Sequence, residues 1–160
     1  MAASGGTSGA KRLLICRAGA KVCGLPLEHV LETMRPLPVE PLAQMPDFVL
    51  GVALIRGRPT PVVDTRQLLG SPSERPPTRY VTLGFGEHAG RVTAFALDSV
   101  IGVRDVAMEV LSALPALLGE SRGELVQAFG ALDAELFLVL EHARLLPDAA
   151  WQALEEPRSA

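Results

Sequence analysis

Two acids stand where chemistry could be done. "VVDT" (62–65) and "FALDS" (95–99) each place an aspartate, Asp64 and Asp98, after an apolar run and before a hydroxyl residue. Two carboxylates offered by two similar halves of a chain can share one proton and activate water. That chemistry asks for a glycine next, so that a tight turn aims the carboxylate. The positions after Thr65 and Ser99 hold Arg66 and Val100 instead, and a β-branched residue enters such a turn only at a cost. Asp64 reads better as a helix cap: its side chain can accept from backbone N–H groups of Thr65-Arg66-Gln67-Leu68-Leu69, an arrangement worth ~1 kcal/mol. Glu141, ahead of "HARLL", is a weaker version of the same device.

The remaining reactive side chains are scattered. Cys16 and Cys23 bracket "RAGAKV", and a two-residue hairpin turn at Gly19-Ala20 sets them directly opposite each other. In a reducing compartment they read as buried thiols that pack as small hydrophobes. His29, His88 and His142 lie in separate segments, without metal-ligand spacing. His29, beside Glu28 and Glu32, reads as a surface histidine. No nucleophile elbow, phosphate-cradling glycine run or dinucleotide fingerprint is present. The residues point to a binding module with no cofactor and no metal.

The elements that position these groups read as strands. "RLLICRA", "KVCGLPL", "RYVTLGFG" and "RVTAFALDSVIGVRDV" are short apolar runs between turn residues. "FVLGVALIRGRPTPVVDT" reads as two strands around a turn at Arg56-Gly57-Arg58. Pro59 and Pro61 remove two N–H donors from one side of the second strand, which suits an edge or corner rather than a central parallel strand. "RPLPVEPLAQMP" (35–46), with four prolines, is a surface loop, and "SPSERPPT" (71–78) divides the halves. The second half repeats the first. "GVALIRGRPTPVVDTRQLL" (51–69) runs without a gap over "AFGALDAELFLVLEHARLL" (128–146), and "PLEHV" (26–30) matches "ALDSV" (96–100). Two similar all-β halves predict two small barrels side by side.

Composition narrows the partners. The chain has 160 residues, 48% of them hydrophobic and 21% charged, enough for a packed core. A net charge of −3 with dispersed basic residues argues against nucleic acid. The longest apolar run, "FVLGVALI" (48–55), is far short of the ~18 residues that span a bilayer. A cytoplasmic protein with no direct membrane insertion is expected.

At "FVLGVALIRGRPTPVVDTRQLLG" the chain resembles the CheW-like coupling proteins of bacterial chemotaxis. Gly51, Val52, Ile55, Arg56, Gly57, Pro61, Val62, Asp64 and Arg66 fall on that family's signature. The similarity extends as an ordered series over about 12–147. It implies an all-β fold with short helices: two SH3-like five-stranded barrels, about 12–70 and 78–147, with exchange of strands between lobes allowed. Residues 1–10 form a flexible tail and 148–160 a C-terminal helix and tail, outside a domain of 11–147.

The same resemblance implies no enzymatic activity. It implies an adaptor that joins the cytoplasmic tip of chemoreceptors to the regulatory domain of a CheA-type histidine kinase, recruited to receptor arrays. Residue by residue, it places partner contacts at Arg56 and Gly57, at Val30 and Glu32, and at Leu97 and Val100. Three departures stand out: Leu54 for the usual Asn, Ala134 for the second turn's Gly and Glu141 for Asp. The alternatives are a peptide-binding double barrel of another signalling assembly and, more remotely, an aspartic-protease-like hydrolase using Asp64 and Asp98.

Overall fold

A computed structural model describes residues 10–70, 72–84, 91–107, 112–113, 126–132, 135–140, 151–152 and 154. The expectations for His88, Ala134, Glu141, His142, residues 1–9 and most of 148–160 lie outside them.

The chain opens with β1 (Ala10–Ala18) and β2 (Lys21–Pro26), joined by Gly19-Ala20. Gly19 supplies the positive φ (63°) that a type II′ turn asks of its first central residue. The register Cys16↔Cys23 follows from that turn length, as the sequence predicts, and both thiols are fully buried. A single 3₁₀ turn at Leu27–His29 then leads into β3 (Val30–Met34). After the proline-rich loop come β4 (Val49–Ile55), β5 (Arg58–Asp64) and the one-turn α1 (Thr65–Leu68). The second half supplies β6 (Arg79–Gly84), β7 (Val92–Leu97), β8 (Ser99–Ala107), the two-residue β9 (Ser112–Ala113), β10 (Val126–Leu132) and β11 (Glu135–Leu140).

These strands build two sheets, in the orders β8-β1-β2-β11-β10-β9 and β3-β6-β7-β5-β4. The second has the expected five strands; the first gains a sixth through β9. Sheet membership cuts across sequence position. The opening hairpin β1-β2 pairs with strands of the second half, while β6-β7 lies between β3 and the β4-β5 hairpin, pairing with β3 and β5. The first half thus contributes a hairpin to one sheet and three strands to the other, and the second half a hairpin and four strands.

The repeat seen in the sequence holds at the level of strand register. Cys16↔Val100, Ile15↔Gly102, Leu14↔Val103 and Leu13↔Arg104 in one sheet answer Val30↔Leu83, Glu32↔Thr82, Thr33↔Val81 and Met34↔Tyr80 in the other. Both ladders carry a bulge at the same place, leaving Ile101 and Leu31 as the equivalent unpaired residues. Both sheets also contain one parallel pairing in matching register, Val139↔Gly24 against Val62↔Ala94.

The reading of the two prolines needs correction. β5 is an internal strand, between β4 and β7, and it pairs with β7 in parallel. Pro59 and Pro61 are tolerated because they face Leu54 and Val52 at positions that donate no N–H to β4. Pairing on the other side begins only at Val62, so neither proline interrupts a ladder there.

The core runs through both sheets. Cys16, Cys23 and Leu25 from one pack with Val63, Val81, Phe95 and Leu97 from the other, closed by Leu68 and Leu69 of the α1 region. A second cluster gathers Ala53, Ile55, Val62, Tyr80 and Ala96, with Met34 from β3 and Leu50 from β4 packed against it. β3 and β4 are the outermost strands of their sheet, so their meeting in one cluster means the sheet curls into a barrel. Near the carboxyl end, Trp151 is buried against Met45, Val49 and Leu154, with the Arg91 guanidinium 5.3 Å from its ring centre.

Candidate functional site

The two-residue connection between β4 and β5 is Arg56-Gly57, closed by the pair Ile55↔Arg58. Both central residues have positive φ, 52° for Arg56 and 77° for Gly57, which is the I′ geometry that matches strand twist. Glycine adopts it freely; an arginine does not. A non-glycine residue held there is a local cost of the kind found at functional positions.

The turn aims Arg56 along the outside of the barrel. Its Nε and Nη2 donate to the two carboxylate oxygens of Glu32 at 2.8 and 2.9 Å, a bidentate fork. Glu32 belongs to β3 and Arg56 follows β4, so the pair spans the first and last strands of the sheet and seals the barrel seam. The Arg56 side chain is still 78% exposed, against 29% for Glu32. The guanidinium therefore has open faces left for a partner. At that exposure the pair itself adds little to stability.

The Arg56 hydrogen bonds hold the Glu32 carboxyl below the usual carboxylate range, against a smaller opposing effect of desolvation. A lowered carboxyl favours the charged, paired form above the unfolded-state value and loses that contribution only as pH falls through the lowered folded value. The surface at the seam should keep its charges at neutral and mildly acidic pH. A carbon-detected NMR titration of the Glu32 carboxyl should find its midpoint below the ordinary glutamate value. A midpoint at or above that value would contradict the fork.

The other predicted contacts divide. Val30 and Val100 occupy equivalent positions in the two sheets, both partly buried and packed against the same core cluster. Gly57 leaves open space where a side chain would be. Leu97 is fully enclosed in the core and presents no side-chain surface, so the structure gives it a packing part only.

Asp64 and Asp98 do come near each other, through an arginine. Asp64 caps α1 by accepting from the Arg66 N–H, as expected. The buried Arg66 side chain also donates from Nε to Asp64 Oδ1 at 3.1 Å and from Nη1 to Asp98 Oδ1 at 3.5 Å. Its Nη1 further donates to the Arg75 carbonyl at 2.6 Å. Asp98 Oδ2 accepts from the Gly19 N–H, at the turn of the other sheet. A guanidinium between the carboxylates leaves no shared proton, so the hydrolase alternative loses its machinery. The acids form a tie between sheets.

Sequence reasoning missed the exposed apolar residues. Leu54 is 67% exposed and lines an open groove of about 460 Å³ with Leu37, Pro38, Val39, Val52 and Pro59. Leu31 and Ile101 are exposed because the bulges leave them unpaired, and a bulge has no signature in an alternating pattern. From sequence, the turn spans Arg56-Gly57-Arg58; Arg58 instead begins β5, and the two-residue turn that remains requires positive φ at Arg56.

Comparison with known proteins adds the following. The profile of the CheW-like domain matches residues 12–150. Protein FrzA of Myxococcus xanthus is 32% identical over 145 residues, covering 86% of this chain and 86% of that protein. The chemotaxis protein CheW of Rhizobium meliloti (strain 1021) is 24% identical over 147 residues, covering 92% and 94%. In fold, the chain superposes on the crystal structure of the scaffolding protein TtCheW from Thermoanaerobacter tengcongensis with a TM-score of 0.70. That match is 17% identical and covers 85% of this chain and 92% of that one.

Proposed function

Because this chain belongs to the CheW-like domain family, whose members are non-catalytic adaptors of chemotaxis and motility signalling, we propose that it couples chemoreceptors to a CheA-type histidine kinase. Two barrels held by one core give two faces at a fixed mutual geometry, which is what an adaptor between two proteins needs. Each partner then biases the other through differential contacts with the same scaffold. No helix among the described residues is long and apolar enough to cross a membrane, and recruitment to receptor arrays would come through the receptor.

The observation that carries the reading is Arg56. It sits at a strained turn on the barrel seam, fixed by Glu32 and largely exposed, flanked by apolar surface at Leu54. An oriented arginine beside apolar surface is the usual composition of an interface anchor. Val30, Glu32, Gly57 and Val100 are the further contacts in this reading. Leu54, standing where relatives with the signature carry Asn, sets which receptor or kinase the anchor accepts.

The test is binding to a receptor cytoplasmic fragment and to the kinase regulatory domain encoded in the same genome. Arg56→Glu should weaken at least one by about tenfold or more, the usual loss for a hot-spot arginine. The charge swap Glu32→Arg with Arg56→Glu separates two roles. It restores binding if Arg56 only seals the barrel, and fails to restore it if Arg56 touches the partner, which is the expected result. Full retention of both interactions by Arg56→Glu would remove the anchor. Absence of binding to either protein by the unaltered chain would leave a double barrel serving another assembly.

A further inference from the structure

The loop ahead of β4 begins "RPLPVEP", residues 35–41. Covalent geometry leaves it little freedom. Pro36, Pro38 and Pro41 have φ fixed near −65°, and the residues before them, Arg35, Leu37 and Glu40, are driven to extended backbone by the following ring. The segment is extended before any tertiary contact forms.

The barrel then holds it along its length. The Tyr80 hydroxyl donates to the Leu37 carbonyl at 3.2 Å, and burial raises the Tyr80 phenol above its ordinary value, so the donor stays protonated. Val39 packs on the cluster of Ala53, Ile55 and Tyr80. Glu40 exchanges both of its backbone hydrogen bonds with Val52, at 2.8 and 2.9 Å.

An extended chain with three residues per turn has three edges. Here Pro36 and Val39 share one, Arg35, Pro38 and Pro41 the second, and Leu37 and Glu40 the third. Val39 is the single residue of the seven that is not exposed. Val39 packs on the barrel, while Leu37, 37% exposed, and Pro38 stand at an open groove bordered by Leu54 and Pro59. Arg35, at one end, is exposed and makes no ion pair among the described residues.

We propose that residues 35–41 are a preformed docking strap for a partner whose groove is lined by aromatic rings and ends in a carboxylate. Its spacing is Arg-x-x-Pro-x-x-Pro. Such a segment sets X–Pro pairs into slots between rings while its basic end meets an acid. Leu37-Pro38 fills the main slot, and Glu40-Pro41, whose first residue is polar, contributes less. Because the segment is already extended and tethered, little conformational entropy is lost on docking. Tyr80, Phe95 and Trp151 are buried and Phe48 is packed on the core, so none of these four rings offers such a groove in a second copy of this chain. The strap borders the groove that Leu54 lines beside Arg56, and the proposal goes beyond the receptor–kinase reading.

The experiment titrates the isotope-labelled full chain with an SH3 domain that accepts Arg-x-x-Pro-x-x-Pro peptides, used as a defined aromatic groove with an acidic end. A free peptide of residues 33–43 is titrated in parallel. Amide shifts should centre on Arg35, Leu37, Val39 and Glu40, and the full chain should bind at least as tightly as the peptide. Arg35→Glu and Pro38→Ala should each weaken binding about tenfold, the size expected for losing a charge-assisted contact or a filled slot. Neither should shift the melting curve, and Arg56-dependent binding should persist in both. Binding by the peptide but not by the chain would mean the strap faces inward and would overturn the proposal. So would indifference to both substitutions, or no binding by either species.

Discussion

Replacing Arg66 with methionine is expected to lower the unfolding free energy by about 3–4 kcal/mol. Removing one partner of a buried ion pair costs roughly 3–5 kcal/mol because a charge is left without compensation. Here two carboxylates lose the same cation. Asp64 is almost wholly enclosed, while Asp98 has a side chain 31% exposed, so solvent relieves part of the second loss. The Arg75 carbonyl loses its donor as well.

A loss of that size is a large share of the 5–15 kcal/mol that typically holds a domain together. Arg66→Lys keeps the charge but cannot fork between two acids, and should fall between the two. Adding Asp98→Asn to Arg66→Met should recover part of the loss, since the two groups are coupled. Urea denaturation of the unaltered chain, Arg66→Met, Asp98→Asn and the double variant gives the cycle. A loss below about 1 kcal/mol for Arg66→Met would show that the node carries no weight.

Gly51→Ala is the second substitution with a large expected effect, about 2–4 kcal/mol, for a reason unrelated to charge. Gly51 has φ of 144°, a conformation that L side chains rarely adopt. An added Cβ would fall 2.7 Å from the Glu40 carbonyl carbon and 2.9 Å from Pro41 Cα, and closer still to the Glu40 carbonyl oxygen. All of these are backbone atoms, and Glu40 is tied to Val52 by two hydrogen bonds. Backbone strain and overpacking each cost about 1–3 kcal/mol.

The strap must lift for the methyl group to fit, so amide exchange at Glu40 and Val52 should quicken more than at Val81 in the core. Gly57→Ala is the control. Its φ of 77° is also unfavourable, but nothing lies within 4 Å of the added carbon, so only the conformational cost of about 1 kcal/mol remains. Equal costs at the two glycines, or unchanged exchange at Glu40, would refute the steric account.

Much of the architecture was legible because the chain states it twice. The gapless overlay of 51–69 on 128–146 corresponds to two hairpins in matching places in two sheets. The link between "PLEHV" and "ALDSV" reappears as paired bulges and equivalent valines. Local signals held where chemistry acts over a few residues. Gly19-Ala20 set the cysteine register, and Asp64 caps because its carboxylate reaches the N–H two residues on.

Signals failed where the answer lay across the fold. Proline at 59 and 61 excludes pairing at two N–H groups, but says nothing about where a parallel neighbour begins. Leu97 looked like a contact on a strand and proved to be core, because an apolar residue on a strand does not reveal which face is covered.

What the sequence determined by itself, then, is the family, the duplication, the cysteine register and the Asp64 cap, since these depend on spacing and on backbone preferences of neighbouring residues. Only the tertiary structure decided which half lends its hairpin to which sheet, that Arg66 stands between Asp64 and Asp98, and that Glu32 meets Arg56 across the barrel seam. Each of these joins groups distant along the chain, and their separation is set by sheet closure and core packing, which no local pattern of residues encodes.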